Sequence, residues 1–244
     1  MHKAVIVIPA RYASSRFPGK PLVPILGKPM IQWVWEAASR SKHASKVLVA
    51  TDDTRIADVV ANFGGTAVMT KATHRSGTDR MAEVARKHPA RLYVNVQGDE
   101  PLLTPKAVDD LISGMGNAPM GTLAHPIKAE SEWRSPEVCK VVIDVDGYAL
   151  YFSRSPLPFQ RQYDPAVRAW RHVGIYAFKA EALKRFVGWK PSPLEKAESL
   201  EQLRALEHGM KIKVLPTKFR CAGVDTSADL TKVESLLAAA RKRR

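Results

Sequence analysis

The chain has 244 residues, 45% of them hydrophobic and 25% charged, which excludes a disordered or fibrous polymer and allows one sizeable core. A net charge of +14, from 38 Lys and Arg against 24 Asp and Glu, points to polyanionic partners: nucleic acid, an anionic surface, or small phosphorylated and carboxylated molecules. The 2 cysteines, Cys139 and Cys221, share no CxxC spacing and argue against a disulfide framework or a zinc site.

In chain order, residues 3–8 read as a buried strand that stops at Pro9. This apolar run is too short for a signal sequence, and no stretch reaches the ~18 apolar residues needed to span a bilayer, so a cytoplasmic protein without membrane insertion is expected. Residues 10–28, rich in Pro, Gly and basic side chains, read as one long loop, and such loops are usually functional. A helix is predicted over 29–41, a strand over 46–50, a helix over 53–63, a strand over 66–69, a helix over 78–87, a strand over 91–96 and a helix over 105–115. That alternation predicts a Rossmann-like α/β fold, a mostly parallel sheet with helices on both faces. From about 119 to 190 the rhythm changes. Strand-like runs at 121–127, 138–144, 148–153 and 173–178, with a turn at Asp146-Gly147, predict an inserted antiparallel lobe. A helix over 194–207, a strand over 211–215 and a helix from about 227 to 240 follow, before the basic end Arg241-Lys242-Arg243-Arg244, read as a solvated tail. The whole, 1–244, reads as a single domain.

Ligands of an open α/β sheet sit beyond the carboxyl ends of its strands, and chemistry-bearing residues follow several of these strands. After the first come Ala10, Arg11, Arg16 and Lys20 among small residues, suited to a polyphosphate although neither Walker A nor GxGxxG spacing is present. Gln97-Gly98-Asp99-Glu100 follows the strand 91–96, and Asp99 there suits Mg²⁺, which takes one or two carboxylates plus substrate phosphates. Asp225 precedes the last helix; alone it reads as an N-cap, and paired with Asp99 as a metal ligand. Ser76-Gly77-Thr78-Asp79-Arg80 opens a helix, where small residues admit a planar base and Arg80 meets an anion. His172, Gly174 and Tyr176 share one strand face, with Arg154 in the same lobe, and suit a hydroxylated, carboxylated substrate. Glu198 and Glu201 stand i,i+3 on the helix 194–207, with Gln202 beside them.

The set Pro9–Leu22, Ser76–Arg80, Asn95–Pro101, Phe152–Pro156, His172–Tyr176, Leu200–Arg204 and Gly223–Thr226, in that order, resembles the 3-deoxy-manno-octulosonate (Kdo) cytidylyltransferases. The likeness covers roughly residues 4–235. It implies a homodimeric Mg²⁺ enzyme that joins CTP to an acidic octulosonate, releasing pyrophosphate, for lipopolysaccharide biosynthesis. Carried over position by position, CTP would lie along the loop from Ala10 to Lys20, with Arg11 and Lys20 on its phosphates. Ser76, Gly77 and Gln97 would border cytosine and ribose, and Asp99 and Asp225 would bind Mg²⁺. Arg80, Arg154, His172, Tyr176, Glu201 and Gln202 would surround the sugar acid. Arg11, Lys20, Asp99 and Asp225 form the catalytic set. Phe17 stands where family members often carry Leu, and the stretch 160–170 and the basic tail match nothing in the pattern. The rival readings are transfer to the 8-amino sugar, a sialic-type acid or a phosphorylated alcohol, and, from a different class, a basic nucleic-acid-binding protein. The chain lacks the recognition signatures of the last, and its cations follow strands, so no nucleic-acid partner is expected.

Overall fold

A computed structural model describes residues 3–13, 17–162, 164, 166–224 and 226–242. The elements are β1 (Ala4–Ala10), a 3-10 turn (Lys20–Leu22), β2 (Pro24–Ile25), β3 (Lys28–Pro29), α1 (Met30–Ser39), β4 (Ala44–Thr51), α2 (Thr54–Asn62), β5 (Thr66–Met69), α3 (Gly77–Lys87), β6 (Leu92–Asn95) and α4 (Pro105–Gly114). Then come β7 (Met120–Pro126), α5 (Glu130–Arg134), β8 (Lys140–Ile143), β9 (Ala149–Ser153), β10 (Trp170–Lys179), α6 (Ala180–Gly188), α7 (Pro193–Glu198), α8 (Leu203–Glu207), β11 (Ile212–Pro216) and α9 (Ser227–Lys242).

The main sheet runs β11-β7-β10-β6-β1-β4-β5. The strands β5, β4, β1 and β6 are mutually parallel, β10 is antiparallel to both neighbours, and β7 and β11 are parallel to each other. From β1 the chain builds outward to β4 and β5, then returns to lay β6 on the other side of β1. The crevice beyond the carboxyl ends of β1 and β6 is therefore the topological switch point, where open sheets of this kind bind ligands.

Alternation along β1 explains the layering. Ala4, Ile6 and Ile8 face one core with Ile31, Val34 and Leu111, while Val5 and Val7 face a second with Met81, Phe178 and Phe186. A third small cluster seats Val233 and Leu237 of α9 on Ile25, Met30 and Val224, which holds the segment before α9 beside the loop after β1.

The antiparallel stretch enters the main sheet through β7 and β10, while β8 pairs with β10 and with β9 as its extension. Three local expectations are corrected. The stretch 10–28 is not loop throughout: it holds the 3-10 turn and a two-stranded ribbon, β2 and β3, closed by Leu26 and Gly27, both at positive φ. The predicted helix 194–207 is two helices, because Ser199 adopts a left-handed conformation (φ 53°) and ends α7. Glu198 and Glu201 therefore do not share a helix face. Two helices were not foreseen, the short α5 and the amphipathic α6, which buries Ala182, Leu183 and Phe186.

Candidate active site

A cavity of about 360 Å³ opens at the switch point, lined among others by Ala10, Arg11, Lys20, Ser76, Gly77, Arg80, Gln97 and Asp99. These residues come from the segments after β1, before α3 and after β6. Backbone proximity assembles them. A Cβ on Gly98 would lie 2.9 Å from the Pro9 carbonyl oxygen, and one on Gly77 would lie 3.1 Å from the Pro9 ring, so both segments press on the end of β1. Lys20 reaches across the mouth, with Nζ 2.6 Å from Asp99 Oδ2. Ser76 caps α3 by accepting from the Asp79 N–H at 3.1 Å, and the start of that helix faces the cavity, an arrangement that favours anions.

Arg80 is buried at 4% exposure, yet it lines the same space. Its Nη1 donates to Thr70 Oγ1 at 2.5 Å, and Nη2 stands 3.4 Å from Asp52 Oδ1. His74 and Arg75 also line the cavity. The His74 Nε2 lies 2.5 Å from Glu83, whose carboxyl is held down at about 2, first by the Lys71 N–H and then by His74.

A second cavity, of about 560 Å³, shares Arg75 and Ser76 with the first and adds Asp79, Trp189, Glu201 and Arg204. Glu201 lies in the break between α7 and α8. Its Oε2 accepts from Thr78 Oγ1 at 2.7 Å, while Oε1 is buried with no hydrogen-bond partner. Burial raises this carboxyl, against hydrogen bonds from Ser76 and Thr78 and the nearby Arg204 charge.

His172 and Tyr176 do share a face, with ring centroids 5.4 Å apart, and Phe152 packs edge-on to His172 at 5.0 Å. The His172 Nε2 is 2.9 Å from Thr122 Oγ1, whose hydroxyl also lies within 3.0 Å of the Val173 and Ile175 carbonyls. A carbonyl takes the hydroxyl proton, so Nε2–H donates to Oγ1. Burial pushes His172 down to about 3, which makes it a neutral imidazole and not a cation near neutral pH. Burial also raises Tyr176 well above its ordinary value. Gln202 is buried, with Nε2 3.6 Å from Cys139 Sγ. Arg154 donates from Nε to the Glu198 carbonyl at 2.9 Å and from Nη1 to the Pro136 carbonyl at 3.0 Å.

The structure thus gathers Ala10, Arg11, Lys20, Ser76, Gly77, Arg80, Gln97 and Asp99 around one space, with Glu201 on the adjoining one. Arg154, His172, Tyr176 and Gln202 line neither cavity and form a neighbouring set just after β9, on β10 and in the turn before α8. Asp225 lies outside the described residues.

A family model described as cytidylyltransferase matches residues 5–212. A 3-deoxy-manno-octulosonate cytidylyltransferase from Syntrophotalea carbinolica is 50% identical over 242 residues, covering 95% of this chain and 97% of that one. Another from Escherichia coli is 48% identical, covering 98% and 97%. Among solved structures, a CMP:2-keto-3-deoxy-manno-octonic acid synthetase complexed with CTP superposes with a TM-score of 0.93 at 48% identity, covering 97% of this chain and 99% of that one. The chain belongs to the cytidylyltransferase family. A cytidylyltransferase from Leptospira borgpetersenii, at 19% identity and a TM-score of 0.65, shares the fold alone.

For a member of this family the metal question turns on Asp99. Its carboxylate lines the cavity beside Lys20, a hard oxygen donor open to the space a phosphate chain would fill. Among the described residues no group of three or more His, Cys, Asp or Glu gathers to hold an ion. Magnesium needs no such cage, since it keeps waters and phosphate oxygens with one or two carboxylates. The donor set fits. Next to Asp99, Glu100 Oε2 is buried without a hydrogen-bond partner, and burial followed by the Asp99 charge pushes this carboxyl up to about 8. The Val224 N–H donates to the Asp99 carbonyl at 3.1 Å, which ties the segment leading to Asp225 to the Asp99 turn.

Residues the sequence did not single out include Thr70 and Asp52, which hold Arg80, and Thr122, which holds His172, while Thr78, quoted only as part of the turn that opens α3, holds Glu201. Thr and Asp are too common to signal such a role; only their juxtaposition in space does.

Proposed function

We propose that this chain transfers CMP from CTP to the C2 hydroxyl of 3-deoxy-manno-octulosonate, releasing pyrophosphate, in the cytoplasm and for lipopolysaccharide assembly. The observation that carries the reading is the 360 Å³ cavity at the switch point, whose wall combines Arg11, Lys20 and Arg80 with one open carboxylate, Asp99. Its support is the full-length likeness to relatives so named.

In the proposed chemistry the sugar hydroxyl oxygen bonds to the α-phosphorus as the bond from that phosphorus to the bridging β-phosphate oxygen breaks. The hydroxyl proton passes to solvent and pyrophosphate leaves. Such transfer depends on positioning and charge neutralisation more than on covalent catalysis, so no nucleophilic side chain is assigned. Asp99 and Asp225 would hold Mg²⁺, which when bound supplies Lewis-acid polarisation of phosphate oxygens. Lys20 and Arg11 neutralise charge on the phosphates. Ser76, Gly77 and Gln97 border the base and ribose. Arg80, already oriented by Thr70 and Asp52, presents a fixed fork to an anion. His172, being neutral, takes part as a hydrogen-bonding group and not as a counter-ion.

A homodimer is part of the proposal. In the stretch 119–190, Leu150 and Phe159 stand 61% and 83% exposed, apolar surface that a second copy would cover. No helix among the described residues is long and apolar enough to cross a membrane.

The test is pyrophosphate release with CTP, Mg²⁺ and the octulosonate, run beside ATP, GTP, UTP and an EDTA control. Release that needs CTP and the sugar and stops with EDTA is expected. Release only with the 8-amino sugar or a sialic-type acid would replace the substrate. Silence with every acceptor would overturn the activity.

A further inference from the structure

Lys140 is a long cationic side chain at 0% exposure, outside the set of residues assigned above. All three N–H bonds of its ammonium are used. Nζ donates to the Ser135 carbonyl at 2.9 Å, to the Val138 carbonyl at 2.7 Å and to the Arg154 carbonyl. The amide side of Arg154 is gripped by the Glu198 side chain. Glu198 Oε2 accepts from the Arg154 N–H at 2.9 Å, its Oε1 accepts from Ser153 Oγ at 2.5 Å, and its own carbonyl takes Arg154 Nε at 2.9 Å.

A cation on the carbonyl and a carboxylate on the amide fix the Arg154 backbone from both sides. Two guanidinium nitrogens are also committed, to the Glu198 and Pro136 carbonyls, and Nη2 has no hydrogen-bond partner among the described residues. The adjacent residue extends the arrangement. The Cys139 carbonyl accepts from the His172 N–H at 2.9 Å, and Cys139 Sγ lies 3.6 Å from Gln202 Nε2. The dipeptide Cys139-Lys140 at the start of β8 therefore touches Arg154, His172 and Gln202, which arrive from three different parts of the chain.

We infer that Lys140 and Glu198 are positioning residues that set the Arg154 guanidinium so that its Nη2 meets the carboxylate of the sugar acid, joined through Cys139 to His172 and Gln202. The inference rests on the proposed sugar-acid role of Arg154. A buried ion is costly, and an apolar side chain of equal length would fill the space at least as well for stability. Burial lowers the Lys140 pKa, and three carbonyl oxygens compensate the charge. Orientation is what an ammonium provides here and a methyl group does not.

The experiment measures KM for CTP and for the octulosonate separately, with kcat, in wild type, Lys140→Met, Glu198→Gln, Arg154→Ala and the double variant Lys140→Met/Arg154→Ala. Lys140→Met and Glu198→Gln are each expected to raise KM for the sugar acid by about tenfold or more, with KM for CTP within about twofold of wild type. The double variant is expected to be no worse than Arg154→Ala, because Lys140 acts through Arg154. If Lys140→Met does not fold, Glu198→Gln keeps the test, since it removes charge from the other side of the same peptide with little change in size. An unchanged sugar-acid KM, an equal rise in both KM values, or additive losses in the double variant would overturn the inference. Wild-type protein that turns over no sugar acid would instead remove the reading beneath it.

Discussion

At the scale of single residues, charge state decides what each side chain contributes. Asp99 lines the switch-point cavity beside Lys20. Asp99→Asn keeps the size and removes the charge, so kcat is expected to fall by about 10²-fold or more while circular dichroism stays unchanged. Asp225→Asn is expected to do the same. A variant of either that kept most of its turnover would contradict the paired carboxylates. His172 gives a pH prediction. Folded, it stays neutral down to about 3, whereas the unfolded chain takes up its proton near the ordinary value of 6.5. The unfolded state therefore binds more protons between those limits, and stability present above pH 6.5 is lost as pH falls toward 3. Denaturant titrations should show a shallower loss over that window in His172→Gln than in wild type; an identical slope would contradict the buried neutral imidazole. The cavity-lining residues at strand ends were legible, because Arg11, Lys20, Asp99 and Gln97 follow strands that the pattern itself marks. Lys140 was not. Nothing within the strand-like run 138–144 marks it, and only the fold shows three carbonyls turned onto it.

At the scale of elements, close backbone approach builds the cavity. Gly98→Ala places a methyl group 2.9 Å from the Pro9 carbonyl and 3.3 Å from Ile31. Either the turn after β6 or the end of β1 must move, which is expected to cost about 1–3 kcal/mol in denaturant unfolding and to raise KM for CTP more than KM for the sugar acid. An Ala variant with wild-type stability and kinetics would show that the contact does not shape the site. The alternating first half was readable because its strands and helices carry short, well-punctuated apolar patterns. The helix 194–207 misled for a physical reason. Its apolar positions Leu200 and Leu203 continue a helical spacing, but Ser199 turns left-handed to bring Leu200 into the core and Glu201 against Thr78. A left-handed serine leaves no mark in a single sequence. The β2–β3 ribbon was missed similarly, since Leu26 at φ 47° occupies a position where Asn or Gly would have signalled the turn.

At the scale of the whole molecule, strand order explains why the cations converge. With β6 laid beside β1 on the side away from β4, the loops after β1 and β6 meet at one crevice, and the turn before α3 closes it from the β5 side. The alternation of elements implied a mostly parallel sheet but not that β10 would run antiparallel within it, since pairing between strands far apart in sequence is set by the shape of the assembled core. The central claim, that this crevice joins CMP to an acidic sugar, is tested most directly by ³¹P NMR of the protein with CTP, Mg²⁺ and 3-deoxy-manno-octulosonate. Loss of the three CTP resonances with equal gain of one phosphodiester and of pyrophosphate is expected, with no change when the sugar is omitted. Inorganic phosphate and CDP in place of pyrophosphate, or CTP left intact with the sugar present, would contradict it.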